Sequence, residues 1–286
     1  MPELPEVECI RSYLEHTCVG AKIGLSQLVR EDIVGSVGSP RGKRSAEKST
    51  TPKVALLDSS TLVGVERKGK QLGLIADNGR ALLIRLGMSG QLLVVESVDK
   101  NLSHVHAVWS LRFNNTLKFL LFRDPRRFGS ILPCRNRAGI DDHWNKLGPD
   151  ALTISQPILW QIMKNRVTGV KALLLDQARI CGLGNIYVDE SLFLSGIHPK
   201  KQACFLNDVE LQLLAYSIRR VLSKAIHAGG STLRDYRTPD GAEGNFQKAH
   251  SVYGRIGLLC TMCKATIVGD IVGGRTTAFC PNCQAL

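Results

Sequence analysis

The chain opens with apolar side chains at helical spacing. They recur every three or four residues, at Leu4, Val7, Ile10, Leu14 and Cys18. Gly20 then ends the pattern. Because this period places the apolar side chains on one face, it predicts an amphipathic helix over about the first eighteen residues.

Between residues 54 and 132 the pattern changes to short apolar runs typical of β-strands. Strands are predicted at residues 72–75, 81–86, 91–95, 105–113 and 117–122. Asp77-Asn78-Gly79 and Asn114-Asn115 supply tight turns between some of these runs. Short strands at this spacing indicate an antiparallel sandwich or a flattened barrel.

The second half of the chain has helical patterns instead. The clearest helix begins at Asn207, which pairs with Glu210 as in a capping box, and its apolar stripe stops at Gly229-Gly230. We therefore expect an α+β protein. Its predicted parts are a β-sandwich domain at residues 1–135, a linker at 136–149, a helical domain at 150–249 and a small module at 250–286. Residues 35–53, rich in small and basic side chains, are predicted to form a surface insertion.

Composition narrows the partners of this 286-residue chain. Its hydrophobic content of 44% is enough to build cores, and its formal net charge of +12 favours a polyanionic partner such as nucleic acid. From charge alone, a nucleic-acid-binding protein and a basic protein that does not bind nucleic acid are equally expected. No apolar stretch approaches the roughly 20 residues that cross a bilayer, and the start lacks the features of a secretory signal. We expect a monomeric cytoplasmic protein with no membrane partner.

Four of the nine cysteines are clustered near residue 286. Cys260 and Cys263 form one Cys-x-x-Cys pair, and Cys280 and Cys283 form a second, sixteen residues later. This spacing is typical of a four-thiolate zinc site on two knuckles of a β-hairpin. Such a site leaves no open coordination position, so the predicted zinc ion is structural. The alternative is four ordinary buried thiols. Between the knuckles stands Arg275, whose planar guanidinium suits a phosphate.

Pro2, Glu3 and Glu6 lie within one turn of the first predicted helix. They fit an ordinary helix start, because proline and acidic residues are favoured there. They also fit catalysis. If Met1 is removed, Pro2 exposes a secondary amine whose pKa lies near that of an α-amino group, about 8, so a substantial fraction is unprotonated at neutral pH. Such an amine can attack a sugar C1′, and Glu3 can move protons beside it.

Three further segments are unusual together. The chain contains Leu-Gly-Met-Ser-Gly from Leu86, Asp-Pro-Arg-Arg-Phe-Gly from Asp124 and Gly-Leu-Gly-Asn-Ile-Tyr from Gly182. Each alone is weak evidence, because the apolar side chains fit a core and Gly-x-Gly is a common turn. In a basic chain they indicate insertion of an apolar wedge and an arginine into a duplex with a flipped nucleotide, and backbone amides near a phosphate.

With these motifs in this order, the chain resembles the bacterial formamidopyrimidine-DNA glycosylases, whose family includes endonuclease VIII. The resemblance also covers Lys68-Gly69-Lys70, Leu-Leu-Asp-Gln from Leu174, Val-Tyr-Gly-Arg from Val252 and Gly-Arg-Thr-Thr-Ala-Phe-Cys from Gly274. It extends over nearly the whole chain except the insertion. It implies an N-terminal β-sandwich with a leading helix, a helix-two-turn-helix region and a C-terminal β-hairpin zinc finger.

The resemblance also implies a base excision repair enzyme that acts on damaged double-stranded DNA with one zinc ion and no organic cofactor. By matching position, Pro2 is the nucleophile, Glu3 the proton donor and Glu6 a supporting carboxylate. Lys70 is implied to act in β-elimination, and Arg275 to grip phosphate and assist δ-elimination. The side chains implied to contact DNA are Met88, His104, Arg126, Phe128, Lys171, Asn185 and Tyr253.

The sequence departs from the family pattern at three positions. Arg85 stands where many relatives have histidine, Gln71 where an aromatic residue is usual, and Val167 where a basic residue is frequent. An endonuclease VIII-like activity on oxidised pyrimidines and a non-catalytic damaged-DNA-binding protein remain alternatives. Residues 231–246 resemble the loop that covers a flipped purine, which favours oxidised purines. The catalytic set disfavours a non-catalytic protein, because binding alone needs neither amine nor carboxylate.

Overall fold

The structure, a computed structural model of the chain, describes residues 2–35, 56–99 and 101–286. Met1 and nearly all of the predicted insertion at residues 35–53 lie outside this part. The chain divides into two compact units. The first contains Pro2, Glu6–Lys146 and Ser231–Gly244, and the second contains Glu3–Pro5, Leu147–Gly230 and Asn245–Leu286.

Helix α1 (Leu4–Cys18) confirms the predicted leading helix. Strands of the first unit follow it in chain order. They are β1 (Lys22–Leu28), β2 (Ser60–Lys68), β3 (Gln71–Ala76), β4 (Ala81–Arg85), β5 (Gln91–Val95), β6 (Val105–Phe113), β7 (Thr116–Arg123) and β8 (Ser130–Cys134). The five predicted strands match β3 to β7 within one residue at each end.

The eight strands form one antiparallel sheet in the order β5-β7-β6-β1-β2-β3-β4-β8. Within the described residues, the short pairing of β1 with β2 joins its two halves, with Lys22 opposite Thr61 and Ile23 opposite Ser60. One apolar cluster contains buried side chains from both halves, such as Leu72 and Trp109, together with the apolar face of α1. A shared core of this kind is what a folded-over sheet requires.

The predicted linker at residues 136–149 is largely helical. Helix α2 (Arg137–Trp144) begins after Asn136, whose side chain accepts a hydrogen bond from the Gly139 amide. Ile140 and Trp144, four residues apart, are both buried. This one-face pattern and the cap explain why much of the predicted linker forms a helix.

The second unit contains four α-helices in its described residues. They are α3 (Gln156–Met163), α4 (Val170–Leu175), α5 (Asn185–Leu194) and α6 (Asp208–His227). The predicted capping box is present, because Asn207 and Glu210 each bond the other's backbone amide. The apolar stripe of α6 is buried, and Gly229 and Gly230, both at positive φ, follow it.

Strands β9 (Val268–Val272) and β10 (Arg275–Phe279) form a C-terminal hairpin. Arg275 opposes Val272 across the Gly273-Gly274 turn, and both glycines have positive φ, as a two-residue hairpin turn requires. The predicted α+β class, with a leading helix, an antiparallel sheet, a helical region and this hairpin, is confirmed. Within the described residues, no helix combines the length and apolar character needed to cross a membrane.

Candidate active site and nucleic-acid interface

The residues at the start of the chain are buried, and the backbone holds them in place. Glu3 is only 3% exposed, and its Oε1 accepts a hydrogen bond of 3.2 Å from the Ile186 amide in the first turn of α5. The Leu4 amide donates to the Gly182 carbonyl at 3.1 Å. Since a helix N-terminus favours negative charge, this position stabilises the Glu3 carboxylate.

This arrangement requires a glycine at position 184. A Cβ atom built there would lie 2.3 Å from the Glu3 Cδ atom, so no other residue fits without displacing the carboxylate. From the sequence, the amides of this glycine motif are predicted to face a phosphate. In the structure, the Ile186 amide instead holds Glu3.

Glu6 is held by a different segment. Its Oε1 accepts a hydrogen bond of 2.7 Å from the Ser231 amide, and the carboxylate is 1% exposed. Ser231 begins the segment Ser231–Gly244, which also contacts the sheet where the Val94 amide donates to the Pro239 carbonyl at 2.8 Å. Residues 231–246 are predicted to belong to the helical domain, whereas Ser231–Gly244 group with the sheet in the structure. The Glu6 carboxylate is therefore one point where α1 fixes this segment.

Cys9, one turn further along α1, is a potential competing nucleophile. Burial raises the pKa of its thiol to about 12, and the nearby Glu6 carboxylate adds to this rise. Because the thiolate is the reactive form, Cys9 is inert at neutral pH.

Lys70 lies in the turn between β2 and β3, and α1 braces that turn. Glu8 accepts a hydrogen bond from Arg67 Nε at 2.6 Å, and Arg67 Nη1 donates to the Gly69 carbonyl at 3.0 Å. Gly69 has a positive φ of 56°. This path through Glu8 and Arg67 links α1, which carries Glu6, to the turn that carries Lys70.

Buried Asp124 joins two of the predicted motifs. One of its carboxylate oxygens accepts from the Ser89 hydroxyl at 2.5 Å, and the other accepts from the Gly129 amide at 2.7 Å. The Arg126 amide in turn donates to the Ser89 hydroxyl at 3.0 Å. The loop of Met88 and the loop of Arg126 are thereby held side by side, although they are far apart in sequence.

These loops present an arginine and an aromatic ring to solvent. Phe128 is 51% exposed, and the Arg126 guanidinium carbon lies 5.3 Å from the centre of its ring. Met88 is partly buried, and the His104 side chain is exposed. A phenylalanine of the core would be buried, so this exposed ring has another role. A ring with an arginine stacked on it suits contact with nucleic-acid bases.

Lys171, predicted to contact DNA, is fully buried on α4. Its ammonium group donates to Asp189 Oδ1 at 2.6 Å and to the Thr277 hydroxyl at 2.7 Å. Burial lowers the pKa of Lys171 and raises that of Asp189 to about 6. A direct phosphate contact does not fit this placement, because protein groups enclose the ammonium.

The other residues of the second unit that are predicted to contact DNA are exposed or partly buried. Arg275 is exposed at the start of β10, and Asn185 and Tyr253 are partly buried. The Asn185 amide nitrogen donates to the Thr276 carbonyl at 2.8 Å. Burial, followed by the Glu3 carboxylate, raises the pKa of Tyr253, so its phenol remains a hydrogen-bond donor at neutral pH.

The four clustered cysteines meet at one end of the hairpin. The sulfur atoms of Cys260, Cys263, Cys280 and Cys283 all lie within 4.8 Å of one another. Two backbone amides point at sulfur, from Met262 to Cys260 at 3.4 Å and from Cys283 to Cys280 at 3.5 Å. Such a group of thiols can hold one metal ion.

Two acidic residues on α5 were missed by the sequence analysis. Asp189 bonds Lys171, and Glu190 accepts hydrogen bonds of 2.8 to 3.0 Å from three successive amides, those of Ser251, Val252 and Tyr253. The available signal was an Asp-Glu pair inside an otherwise apolar stretch. Buried acids need partners, so such a pair indicates a structural or functional contact.

Two family models match the chain. The formamidopyrimidine-DNA glycosylase N-terminal domain matches residues 1–131, and the formamidopyrimidine-DNA glycosylase H2TH domain matches residues 147–237. A curated formamidopyrimidine-DNA glycosylase of Alcanivorax borkumensis is 38% identical, over 99% of this chain and 100% of the relative.

Solved structures agree with these matches along the whole length. A Lactococcus lactis FPG mutant in complex with DNA that contains Fapy-dG has a TM-score of 0.85 and 31% identity. MutM in complex with DNA that contains carbocyclic 8-oxo-G has a TM-score of 0.84 and 31% identity. In both cases the match covers 100% of each chain.

Proposed function

The chain belongs to the formamidopyrimidine-DNA glycosylase family, and from this membership we propose that it excises oxidised purines from duplex DNA and then cuts the strand. The proposed substrates are 8-oxoguanine and formamidopyrimidines. The two structural relatives are complexes with DNA that carries lesions of these kinds, which supports this substrate class.

The observation that carries the proposal is the buried start of the chain. Proline at position 2 precedes Glu3, whose carboxylate is fixed by the Ile186 amide. After removal of Met1, the lone pair of the Pro2 amine attacks C1′, and the damaged base leaves with the electrons of the glycosidic bond and takes up the proton that the Pro2 nitrogen loses. Glu3 donates a proton to O4′ as the C1′–O4′ bond opens, and an iminium forms between Pro2 and C1′.

The iminium acidifies the proton at C2′, which makes strand cleavage possible. Loss of that proton expels the 3′ phosphate in β-elimination, and a second elimination expels the 5′ phosphate. We assign the first step to Lys70 and the second to Arg275, with hydrolysis then freeing Pro2. The braced turn of Lys70 and the exposed position of Arg275 support these roles.

We propose that the exposed loops hold the duplex. Phe128 and Met88 occupy the gap left by the flipped nucleotide, and Arg126 faces the unpaired base. Asn185, Tyr253 and His104 are proposed to contact phosphate or duplex. The adjacent, partly exposed positions of Met88, Arg126 and Phe128 support a shared role.

We propose that the four-cysteine cluster holds one structural zinc ion. Zinc–sulfur bonds of about 2.3 Å in a tetrahedron separate the sulfur atoms by about 3.8 Å. The Cys260–Cys283 and Cys263–Cys280 sulfur distances are 3.9 and 3.4 Å, close to this value. Bound zinc stabilises the hairpin on which Arg275 stands.

Borohydride trapping tests the proposed nucleophile. The mature protein is expected to form a covalent adduct, on its N-terminal peptide, with duplexes that carry 8-oxoguanine or formamidopyrimidine. A variant with an uncleaved residue before Pro2 is expected to lose the adduct while keeping its affinity for lesion DNA. An adduct that persists in this variant, or that maps to Lys70, contradicts the assignment. Preferential trapping on oxidised pyrimidines indicates an endonuclease VIII-like activity instead.

A further inference from the structure

A chain of buried hydrogen bonds runs from α5 to the backbone of Arg275. Asp189 accepts from the Lys171 ammonium, which also donates to the Thr277 hydroxyl at 2.7 Å. The Thr277 hydroxyl then donates to the Arg275 carbonyl at 3.1 Å. Lys171 and Thr277 are both fully buried, and Asp189 is 1% exposed.

The same residues hold the next part of β10 as well. Asp189 Oδ2 accepts from the Ala278 amide at 3.0 Å. The Thr276 carbonyl receives the Asn185 amide at 2.8 Å and a weaker contact from Lys171 at 3.4 Å. Side chains of α4 and α5 therefore hold β10 along the edge that does not pair with β9.

Stability alone does not account for a buried ion pair at this place. Replacing such a pair by apolar residues of similar volume is often neutral or stabilising, because desolvating two charges offsets most of their attraction. Burial acts here against both charged forms, since it raises the pKa of Asp189 to about 6 and lowers that of Lys171. What an apolar pair cannot supply is the set of directed bonds to β10.

We propose that Lys171 and Asp189 are positioning residues that fix Arg275, through Thr277, for its part in strand cleavage. This inference rests on the proposed function, and it replaces the direct DNA contact predicted for Lys171. Arg275 directly follows the Gly273-Gly274 turn, where it opposes Val272, and the Thr277 bond holds its carbonyl from within β10. Misplacing Arg275 is expected to slow δ-elimination and to leave base release at Pro2 unaffected.

The matched variants Thr277→Val and Thr277→Ser test this positioning. Valine keeps the volume and removes the hydroxyl, whereas serine keeps the hydroxyl. On an abasic-site duplex, Thr277→Val is expected to lower the proportion of δ- to β-elimination product by about tenfold, since small displacements of a reacting group are costly. Thr277→Ser is expected to keep the ratio of the unmodified protein. The borohydride adduct should persist in both variants.

Lys171→Met provides a second variant, and hydrogen exchange provides a readout that does not depend on activity. In zinc-loaded protein, amides of Arg275–Phe279 are expected to exchange faster in Lys171→Met and Thr277→Val than in Thr277→Ser. Unchanged exchange and an unchanged product ratio in the two disruptive variants would overturn the proposal. A loss of DNA affinity in Lys171→Met with an unchanged ratio would instead restore a direct DNA contact.

These outcomes are separable from failure of the proposed function. If the unmodified protein forms no borohydride adduct, the proposed function is wrong, and exchange at β10 alone decides whether the network fixes Arg275. If the adduct forms and the product ratio is insensitive to Thr277, the proposed function stands and the positioning role fails.

Discussion

Gln71 and Arg85 oppose each other directly on β3 and β4, and they form one contact. With its oxygen turned toward Arg85, the Gln71 amide accepts from Nη2 at 3.0 Å and from Nε at 3.2 Å. Both positions depart from the pattern of the family that the sequence resembles. The two departures from the family pattern therefore lie opposite each other as one pair, next to Lys70.

Removing the Gln71 amide leaves the Arg85 guanidinium without that acceptor. We expect Gln71→Leu to lower the free energy of unfolding by about 1–3 kcal/mol, because burial already disfavours the charged form and lowers the pKa of Arg85. Gln71→Leu combined with Arg85→Leu should cost less than the sum of the single changes. Urea unfolding of the four proteins measures this coupling, and strictly additive costs would show that the pair does not interact.

The periodicity of the sequence was sufficient for α1, β3 to β7 and α6, because each has a regular apolar pattern and a turn or cap at its end. It did not predict β1, β2 or β8 as separate strands; β1 and β8 pair with the distant strands β6 and β4. It also missed α2, where the helix depends on burying Ile140 and Trp144. Long-range packing decides such segments, and local patterns do not report it.

The site residues also divide into those that the sequence predicted and those that it did not. Motifs predicted the clustering of the four cysteines, and the structure brings their sulfur atoms together. They did not predict that Asp124 holds the loops of Met88 and Arg126 together. They also placed Lys171 among the DNA contacts, because a basic residue beside a motif does not reveal its burial by Asp189 and Thr277.

Glu190 on α5 holds the segment that precedes the hairpin. Its carboxylate accepts from three successive amides, and an amide side chain has only one oxygen to offer them. Glu190→Gln is expected to lower the free energy of unfolding by about 1–3 kcal/mol. Glu243→Gln is the control, since Glu243 is 60% exposed in its ion pair with Arg237 and such pairs contribute little. Equal effects of the two changes in urea unfolding would contradict this role.

Protonation of His250 is expected to reduce stability in mildly acidic solution. Burial lowers its pKa below the ordinary value, against the opposing influence of Glu190. The unfolded chain then binds a proton near pH 6.5 that the folded chain resists, so stability falls as the pH drops below that value. His250→Phe, which keeps a ring beside Phe246 and Tyr253, should give a flatter curve between pH 7.5 and 5.5. An unchanged slope would exclude His250 as the cause.

Metal binding is tested by removing one cysteine of the cluster. Cys260→Ala is expected to reduce zinc from one ion per chain to nearly none and to weaken binding of lesion DNA, because small modules of this kind need the metal to fold. Cys204→Ser, outside the cluster, is the control and should retain zinc. Metal analysis and DNA titration measure both effects. A folded Cys260→Ala protein with full activity would contradict a structural zinc site.

Arg126 is expected to set the preference for the base opposite the lesion. Arg126 carries only hydrogen-bond donors, which match the acceptor edge of cytosine better than adenine. We expect the unmodified protein to cleave 8-oxoguanine opposite cytosine faster than opposite adenine by about tenfold, within the 1–3 kcal/mol that one arginine contact discriminates. Arg126→Ala should flatten this preference. Arg127→Ala removes the same charge from the neighbouring exposed position, so it should weaken binding to both duplexes alike and keep the preference. Single-turnover cleavage of the two duplexes measures it, and equal rates in the unmodified protein would remove Arg126 from this role.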